Sequence, residues 1–268
     1  LHKEDAWRPQ GVPLLIIDWK TIAHHITGLA ERLPLDERHE YTKHMWSYYL
    51  NTGPTFVSGN EYRVIIVDDM RPYWRHKVYA DYKGNRNGPQ REGLQEVLDI
   101  GYRVKDLFNF PYFGAVGYEA DDWAGEVYRQ IQRHRPQRST VLWTIDSDWM
   151  QLVDDALDII WANVGPWHPR LRGNLEVAHW ALRRMNVFIE HPRQIAELKQ
   201  SQGDGCDNIP PGLEESMTSL LVMHKDYAFP EAECKRLLQE IMNPLYNTNA
   251  SNAVMSRDVI VRHGWSLS

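Results

Sequence analysis

Thr140-Val141-Leu142-Trp143-Thr144-Ile145-Asp146-Ser147-Asp148 is the stretch that decides the fold class. Its first six residues are apolar or β-branched on both alternating faces. That pattern predicts a short strand covered on both sides, as parallel strands are. It then runs straight into two acids. The same design occurs twice more. Pro13-Leu14-Leu15-Ile16-Ile17 runs into Asp18, and Arg63-Val64-Ile65-Ile66-Val67 runs into Asp68 and Asp69. Leu157 to Trp161 reads as a fourth strand, and Phe110 to Val116 as a weaker, edge-like fifth.

Helical spacing fills the intervals. Ile22, Ala23, Ile26, Leu29, Ala30 and Leu33 share one face, and Tyr41, Met45, Trp46, Tyr49 and Leu50 another. Trp123, Ala124, Val127, Tyr128 and Ile131 repeat the pattern. Strands alternating with helices predict an α/β fold with a mostly parallel central sheet flanked by helices. The last third changes character. Glu176 to Arg184, Arg193 to Gln200, Glu214 to Met223 and Glu231 to Met242 all read as helices. The expected division is therefore residues 1–164 as an α/β core and 165–268 as a helical subdomain.

Of the 268 residues, 43% are hydrophobic and 25% charged, the balance of a globular chain rather than a disordered one. No apolar run approaches the ~18 residues of a membrane span, and Leu1 to Gly11 lack the apolar core of a secretory signal. Two cysteines, Cys206 and Cys234, are too few for a disulfide scaffold or a cysteine-based zinc site. These features predict a cytoplasmic protein with no membrane partner. No glycine-rich phosphate loop is present, so ATP use is not indicated.

In an open α/β sheet, ligands bind beyond the carboxyl ends of the strands. Asp18, Asp68, Glu119, Asp121, Asp122, Asp146, Asp148, Asp204 and Asp207 fall at predicted strand ends, helix starts or turns. Singly, each is ordinary cap or turn chemistry. Asp146 and Asp148 are two apart and would point the same way on an extended segment, whereas Asp204 and Asp207 are three apart, as on one helical turn. Nine carboxylates at one edge would repel strongly unless divalent cations sat among them. Oxygen ligands without His or Cys suit Mg²⁺ or Mn²⁺.

The net charge of −6 hides an asymmetry. Between Arg71 and Arg91, six cations face one acid, so that segment carries +5 and the rest of the chain −11. Tyr73, Trp74, Tyr79 and Tyr82 interleave with those cations. Charge of this kind holds a phosphate backbone while rings stack unpaired bases. The plainer reading is a solvated surface with rings packed inward. The segment's start, three residues after Asp68, favours a polyanion partner.

Tyr118-Glu119-Ala120-Asp121-Asp122, Thr144 to Val153 and Gly203-Asp204-Gly205-Cys206-Asp207-Asn208-Ile209-Pro210 resemble the core blocks of the 5′–3′ exonuclease and flap endonuclease family. Arg75-His76 with Tyr79, then Tyr82-Lys83-Gly84-Asn85-Arg86, resembles its basic helical arch, here 71–102. The matches keep the family's order from about Leu14 to Pro211. The resemblance implies a PIN-like core and two divalent cations, Mg²⁺ or Mn²⁺. Asp18, Asp68, Glu119, Asp121 and Asp146 would surround the first ion, with Asp122 in or beside its shell. Asp146, Asp148, Asp204 and Asp207 would surround or approach the second. Lys83 and Arg86 would meet the scissile phosphate, Arg75 would contact DNA, and Tyr82 would stack on a base. Asp69 falls outside the pattern, because Asp68 keeps the family's spacing to Arg75.

The implied partner is DNA with a 5′ end, a flap or a single-strand/duplex junction, with RNA of RNA–DNA hybrids as a further substrate, bound by a monomer. The chain length resembles the stand-alone phage and bacterial forms, so a phage-encoded copy would act in its host's cytoplasm. There is one departure. Where the family places a glycine-containing hairpin, roughly Gly-x-Gly-x-Lys, this chain reads Pro211-Gly212-Leu213-Glu214-Glu215-Ser216-Met217-Thr218. Two rival readings are a PIN-type ribonuclease and a non-catalytic, structure-specific DNA-binding protein.

Overall fold

Six strands form one sheet in the computed structural model, which describes residues 11–52, 62–86, 91–164, 170–212, 214–223 and 228–243. The strands are β1 (Leu14–Asp18), β2 (Arg63–Val67), β3 (Tyr112–Phe113), β4 (Thr140–Trp143), β5 (Ile159–Ala162) and β6 (Arg170–Leu171). Their spatial order is β3-β2-β1-β4-β5-β6. Every pairing is parallel except β5 with β6. The α-helices are α1 (Trp19–Ala30), α2 (Arg38–Thr52), α3 (Arg75–Val78), α4 (Leu94–Leu107), α5 (Ala120–His134), α6 (Asn174–Met185), α7 (Gln194–Gln202) and α8 (Glu231–Met242).

All residues of β1, β2, β4 and β5 are buried, which is why they lack a polar parity. Alternation divides them between two cores. Leu14, Ile16, Ile65, Val67, Leu142 and Ile159 pack with α5, α6, α7 and α8. Leu15, Ile17, Val64, Ile66, Val141 and Ile160 pack with α1, α2 and α4. Each fully buried Leu or Ile contributes about 1.5–3 kcal/mol relative to exposure, so the sheet is held from both sides. The C-terminal helices share the first cluster with the strands.

Several expectations are corrected. Leu157 and Asp158 precede β5 rather than form it. Leu157 closes a 3₁₀ turn, and Asp158 adopts a left-handed φ of +49°. Thr144 and Ile145 lie beyond the end of β4, with Ile145 exposed. Glu214 to Met223 is no α-helix; only a 3₁₀ segment forms, over Glu215–Leu220. The expected arch, 71–102, overruns into α4. There Gly101 lets the helix press on Trp19 and Trp46, and a Cβ at that position would lie 2.6 Å from the Trp46 ring. The 164/165 boundary abuts a stretch outside the described residues.

β1 sits between β2 and β4, so the sheet's strand order reverses there. The crevice at the carboxyl ends of β1 and β4 is the ligand position for such a sheet. No helix among the described residues is long and apolar enough to cross a membrane.

Candidate metal centre and its basic flank

Asp18 ends β1 and caps α1. Its Oδ1 accepts the Thr21 N–H at 3.1 Å, and its Oδ2 accepts the hydroxyls of Thr21 at 2.6 Å and Thr144 at 2.7 Å. Thr144 Oγ1 also accepts the Asp146 N–H at 3.0 Å. Asp146 in turn caps the 3₁₀ segment Ser147–Leu152, its Oδ1 accepting the Asp148 N–H at 2.9 Å. Asp146 and Asp148 are therefore joined by a turn and not by an extended segment.

Asp204 and Asp207 lie in a tight turn rather than a helical one. Asp204 and Ile209 exchange backbone hydrogen bonds of 2.8 Å each way. Gly203 (φ +80°) and Asn208 (φ +58°) supply the left-handed conformations that close it. Carboxylate oxygens of Asp148, Asp204 and Asp207 lie within 4.8 Å of one another, the one acidic group among the described residues gathered that tightly.

The acids expected around a first ion stand at the same sheet edge but do not gather this closely. Asp68 is buried, and its Oδ2 accepts both tyrosine hydroxyls, Tyr102 and Tyr112, the latter at 2.8 Å. Glu119 is fully buried, held by Lys83 on Oε1 and by Arg75 on Oε2 at 2.8 Å. Asp121 presents a partly exposed side chain at the first turn of α5 and adds its charge to Asp146 and Glu119.

Burial pushes Asp18, Glu119 and Asp146 up to about 7, with neighbouring charge from Asp69, Asp121 or both adding to it. Burial likewise raises Asp68. At Asp204 burial acts upward too, but the Lys199 ammonium and backbone N–H groups more than offset it and hold the carboxyl below its usual range. Carboxylates crowded until they favour protonation are the electrostatic condition that a divalent cation relieves. An all-oxygen donor set of this kind fits a hard ion.

Three of the expected roles meet other contacts at this site. Asp122, expected in or beside the first ion's shell, has both carboxylate oxygens engaged by the chain itself. Its Oδ1 and Oδ2 are taken by Arg75, at 2.8 and 2.9 Å, and Oδ2 also accepts the Glu119 N–H and the Trp74 indole N–H. It completes a capping box at α5. Arg75 does not face DNA: it is buried beneath the site, bridging Glu119 and Asp122. Tyr82 has no free ring face to stack on a base. It is buried with Tyr73, Ile209 and Leu221, and its hydroxyl donates to Asp207 Oδ2 at 3.0 Å. Of the rings in this segment, Tyr73 and Tyr82 are packed inward, whereas Trp74 and Tyr79 are half-buried.

Lys83 and Arg86 do reach the centre. Lys83 holds a left-handed φ of +53°, bonds Glu119 and stands 3.9 Å from Asp207. Burial works against its charge, but Glu119, Asp121 and Asp207 outweigh that and raise its pKa, so it stays cationic. Arg86 donates to Asp207 Oδ1 at 2.7 Å. Beside them opens a cavity of about 540 Å³, lined by Lys20, His24, Arg71, Lys83, Arg86 and Arg91, with Asp69 on its wall and Leu94 and Leu98 as apolar lining.

Sequence reasoning missed Lys199, whose Nζ donates to Asp148 and, at 2.6 Å, to Asp204. It also missed the Thr21–Thr144 brace, the two tyrosines on Asp68, and Asp69, which accepts the Ala120 N–H at 2.6 Å. The repeated chain signal of a strand ending in an acid marks Asp69; nothing local marks the others.

Residues 20–172 match the family model described as the 5′-3′ exonuclease, N-terminal resolvase-like domain. The chain is 33% identical over 152 residues to DNA polymerase I of Chloroflexus aurantiacus, covering 56% of this chain and 15% of that one. It is 26% identical over 151 residues to a 5′-3′ exonuclease of Mycoplasma pneumoniae, covering 56% of this chain and 48% of the other. This chain thus spans less than half the length of either relative. The fold is similar to that of the bacteriophage T5 D15 flap endonuclease solved with DNA and metal ions, with a TM-score of 0.57 at 20% identity, over 93% of this chain and 96% of that one. With its parallel sheet and acidic carboxyl edge, the chain belongs to the family of 5′-3′ exonuclease N-terminal resolvase-like domains.

Proposed function

We propose that this protein hydrolyses DNA phosphodiesters from a 5′ end or at a flap, as a 5′–3′ exonuclease and flap endonuclease dependent on two divalent cations, with Mg²⁺ the working ion. One juxtaposition carries the reading. The Asp148–Asp204–Asp207 group adjoins Lys83 and Arg86, which themselves line the basic cavity. Acids that hold cations and bases that hold phosphate thus share one crevice.

Asp148, Asp204 and Asp207 would hold one ion, and Asp18, Asp68, Glu119, Asp121 and Asp146 would approach the other. Bound there, such ions supply activation of water and neutralisation of charge at phosphorus. The chain supplies the rest. Lys83 and Arg86 exchange their carboxylate partners for phosphoryl oxygens and offset the charge that develops on them. Arg71, Arg91 and Lys20 hold the neighbouring phosphates, and Leu94 and Leu98 offer an apolar wall to a sugar or base. Water adds its oxygen to phosphorus, the bond to the 3′ oxygen breaks, and that oxygen takes up a proton. The product is a 5′-phosphorylated nucleotide or short oligonucleotide. Terminal nucleotides cost little to unstack, which favours ends and junctions.

The test uses 5′-labelled flap, blunt duplex and single-stranded DNA with Mg²⁺, Mn²⁺ or EDTA. Cleavage near the 5′ end or junction that is abolished by EDTA is the expected result. Cleavage of RNA alone would shift the assignment to a PIN-type ribonuclease, and binding without cleavage would leave a non-catalytic DNA-binding protein.

A further inference from the structure

Lys199 ends in the middle of the acidic triad. It sits in the last turn of α7, and its side chain is nearly buried. The ammonium donates to Asp148 Oδ1 and to Asp204 Oδ2, the two acids it stands between. The remaining Asp204 oxygen accepts the Cys206 N–H at 2.9 Å. Asp207 is engaged on both oxygens, by Arg86 at 2.7 Å and by the Tyr82 hydroxyl at 3.0 Å. Three negative charges are therefore met by Lys199, by Arg86 and, at 3.9 Å from Asp207, by Lys83, and of these Lys199 alone touches two of the acids. A divalent ion entering this group meets an ammonium already in contact with two of its three ligands, and like charges at such separations repel strongly away from bulk water.

We propose that Lys199 is the resident counter-ion of the triad. It stabilises the three carboxylates when no metal is bound, and a divalent ion must displace it, which keeps the affinity of this second position low. The proposal rests on the two-ion reading above. The competing role, in which Lys199 merely orients the two acids as ligands, has the opposite sign. Removing an orienting partner weakens metal binding; removing a competing charge strengthens it.

Mn²⁺ titration calorimetry on the full chain separates these, using wild type, Lys199→Met, Lys199→Gln and Asp204→Asn. Lys199→Met should tighten one class of Mn²⁺ site at least tenfold, and should lower the melting temperature in EDTA more than in saturating Mn²⁺. Lys199→Gln keeps a hydrogen-bond donor without charge and should show the same tightening, so the reading survives if the Met variant folds poorly. Mn²⁺ affinity unchanged within twofold, or weakened, in both variants overturns the proposal. Mn²⁺ uptake unaltered by Asp204→Asn would overturn the assignment of an ion to the triad, and this proposal with it.

Discussion

Thr144 donates its hydroxyl to Asp18 Oδ2 at 2.7 Å and accepts the Asp146 N–H on the same oxygen at 3.0 Å. One side chain thus fixes the acids at the ends of β1 and β4, the two strands that flank the reversal in sheet order. Thr144→Val keeps the shape and removes both bonds. Loss of such an outer partner typically costs about 10–100-fold in metal affinity or activity. Mn²⁺ titration and the Mg²⁺ dependence of cleavage should both shift by roughly that factor. An unshifted midpoint in both would show that the acids hold their places unaided.

Asp148→Asn and Asp204→Asn each remove a charge from the tightest carboxylate group. Cleavage in Mg²⁺ should fall by at least about a hundredfold, while binding of a labelled flap survives, because phosphate contacts belong to the cations. Full activity in either variant would dismiss that residue as a ligand.

The two-residue β6 offered no pattern to read, whereas strands β1, β2 and β4 were legible because each is a short run, apolar on both parities and followed by an acid. Their order was not, since pairing depends on contacts between Leu14 and Thr140 that no local pattern encodes. Within the site, Asp148 was legible as an acid beyond a strand end, and Asp204 and Asp207 as a pair three residues apart. Spacing misjudged the local backbone: Asp204 and Asp207 meet in a tight turn closed by Gly203 and Asn208 rather than on a helix. The segment Arg71 to Arg91 was read from its charge and its interleaved rings, neither of which reports burial. Burial separates its members, since Arg75 and Tyr82 are enclosed while Arg86 is half-exposed. Lys199 carries no signal of its own, because only the folding of α7 against the Ser147–Leu152 turn places it between two acids.

Arg75 should behave as a residue of the fold. Its guanidinium bridges two fully buried acids, Glu119 and Asp122. Removing one partner of a buried ion pair typically costs about 3–5 kcal/mol. In a chain of this size Arg75→Ala should lower the melting temperature by on the order of 10 °C. Arg75→Lys should recover only part of it, because an ammonium cannot match the two-pronged contact with Asp122. The salt dependence of DNA binding should stay unchanged in whichever variant remains folded. A shallower salt slope with an unaltered melting temperature would place Arg75 at the nucleic acid instead.

Lys83→Ala removes a cation from the edge of the triad. Single-turnover cleavage should fall by about 10²–10³, as when one preorganised donor is lost. DNA affinity should change far less, since Arg71, Arg86 and Arg91 still line the cavity. An unchanged single-turnover rate would remove Lys83 from the chemistry.

The metal-free protein should lose stability as pH rises from about 5 to 7.5. Asp18, Glu119 and Asp146 have folded values near 7, above the ~4 of carboxyls in an unfolded chain. Between those limits the native state holds more protons than the unfolded one, so stability falls with pH and levels off above the folded values. Asp204 does not enter this window. Its value is lowered, so the stability it contributes is lost only on stronger acidification. His24 opposes the trend, since burial and Arg91 depress its value, but it is one group against five raised carboxyls, Asp68 and Asp122 included. Ions that bind the ionised carboxylates should therefore stabilise most at the high end. Melting curves in EDTA should decline across the window, and Mg²⁺ should flatten or reverse that slope. A metal-free protein that grew more stable toward pH 7.5 would mean that the fold's own partners already favour these three acids as carboxylates, leaving no repulsion for a cation to relieve.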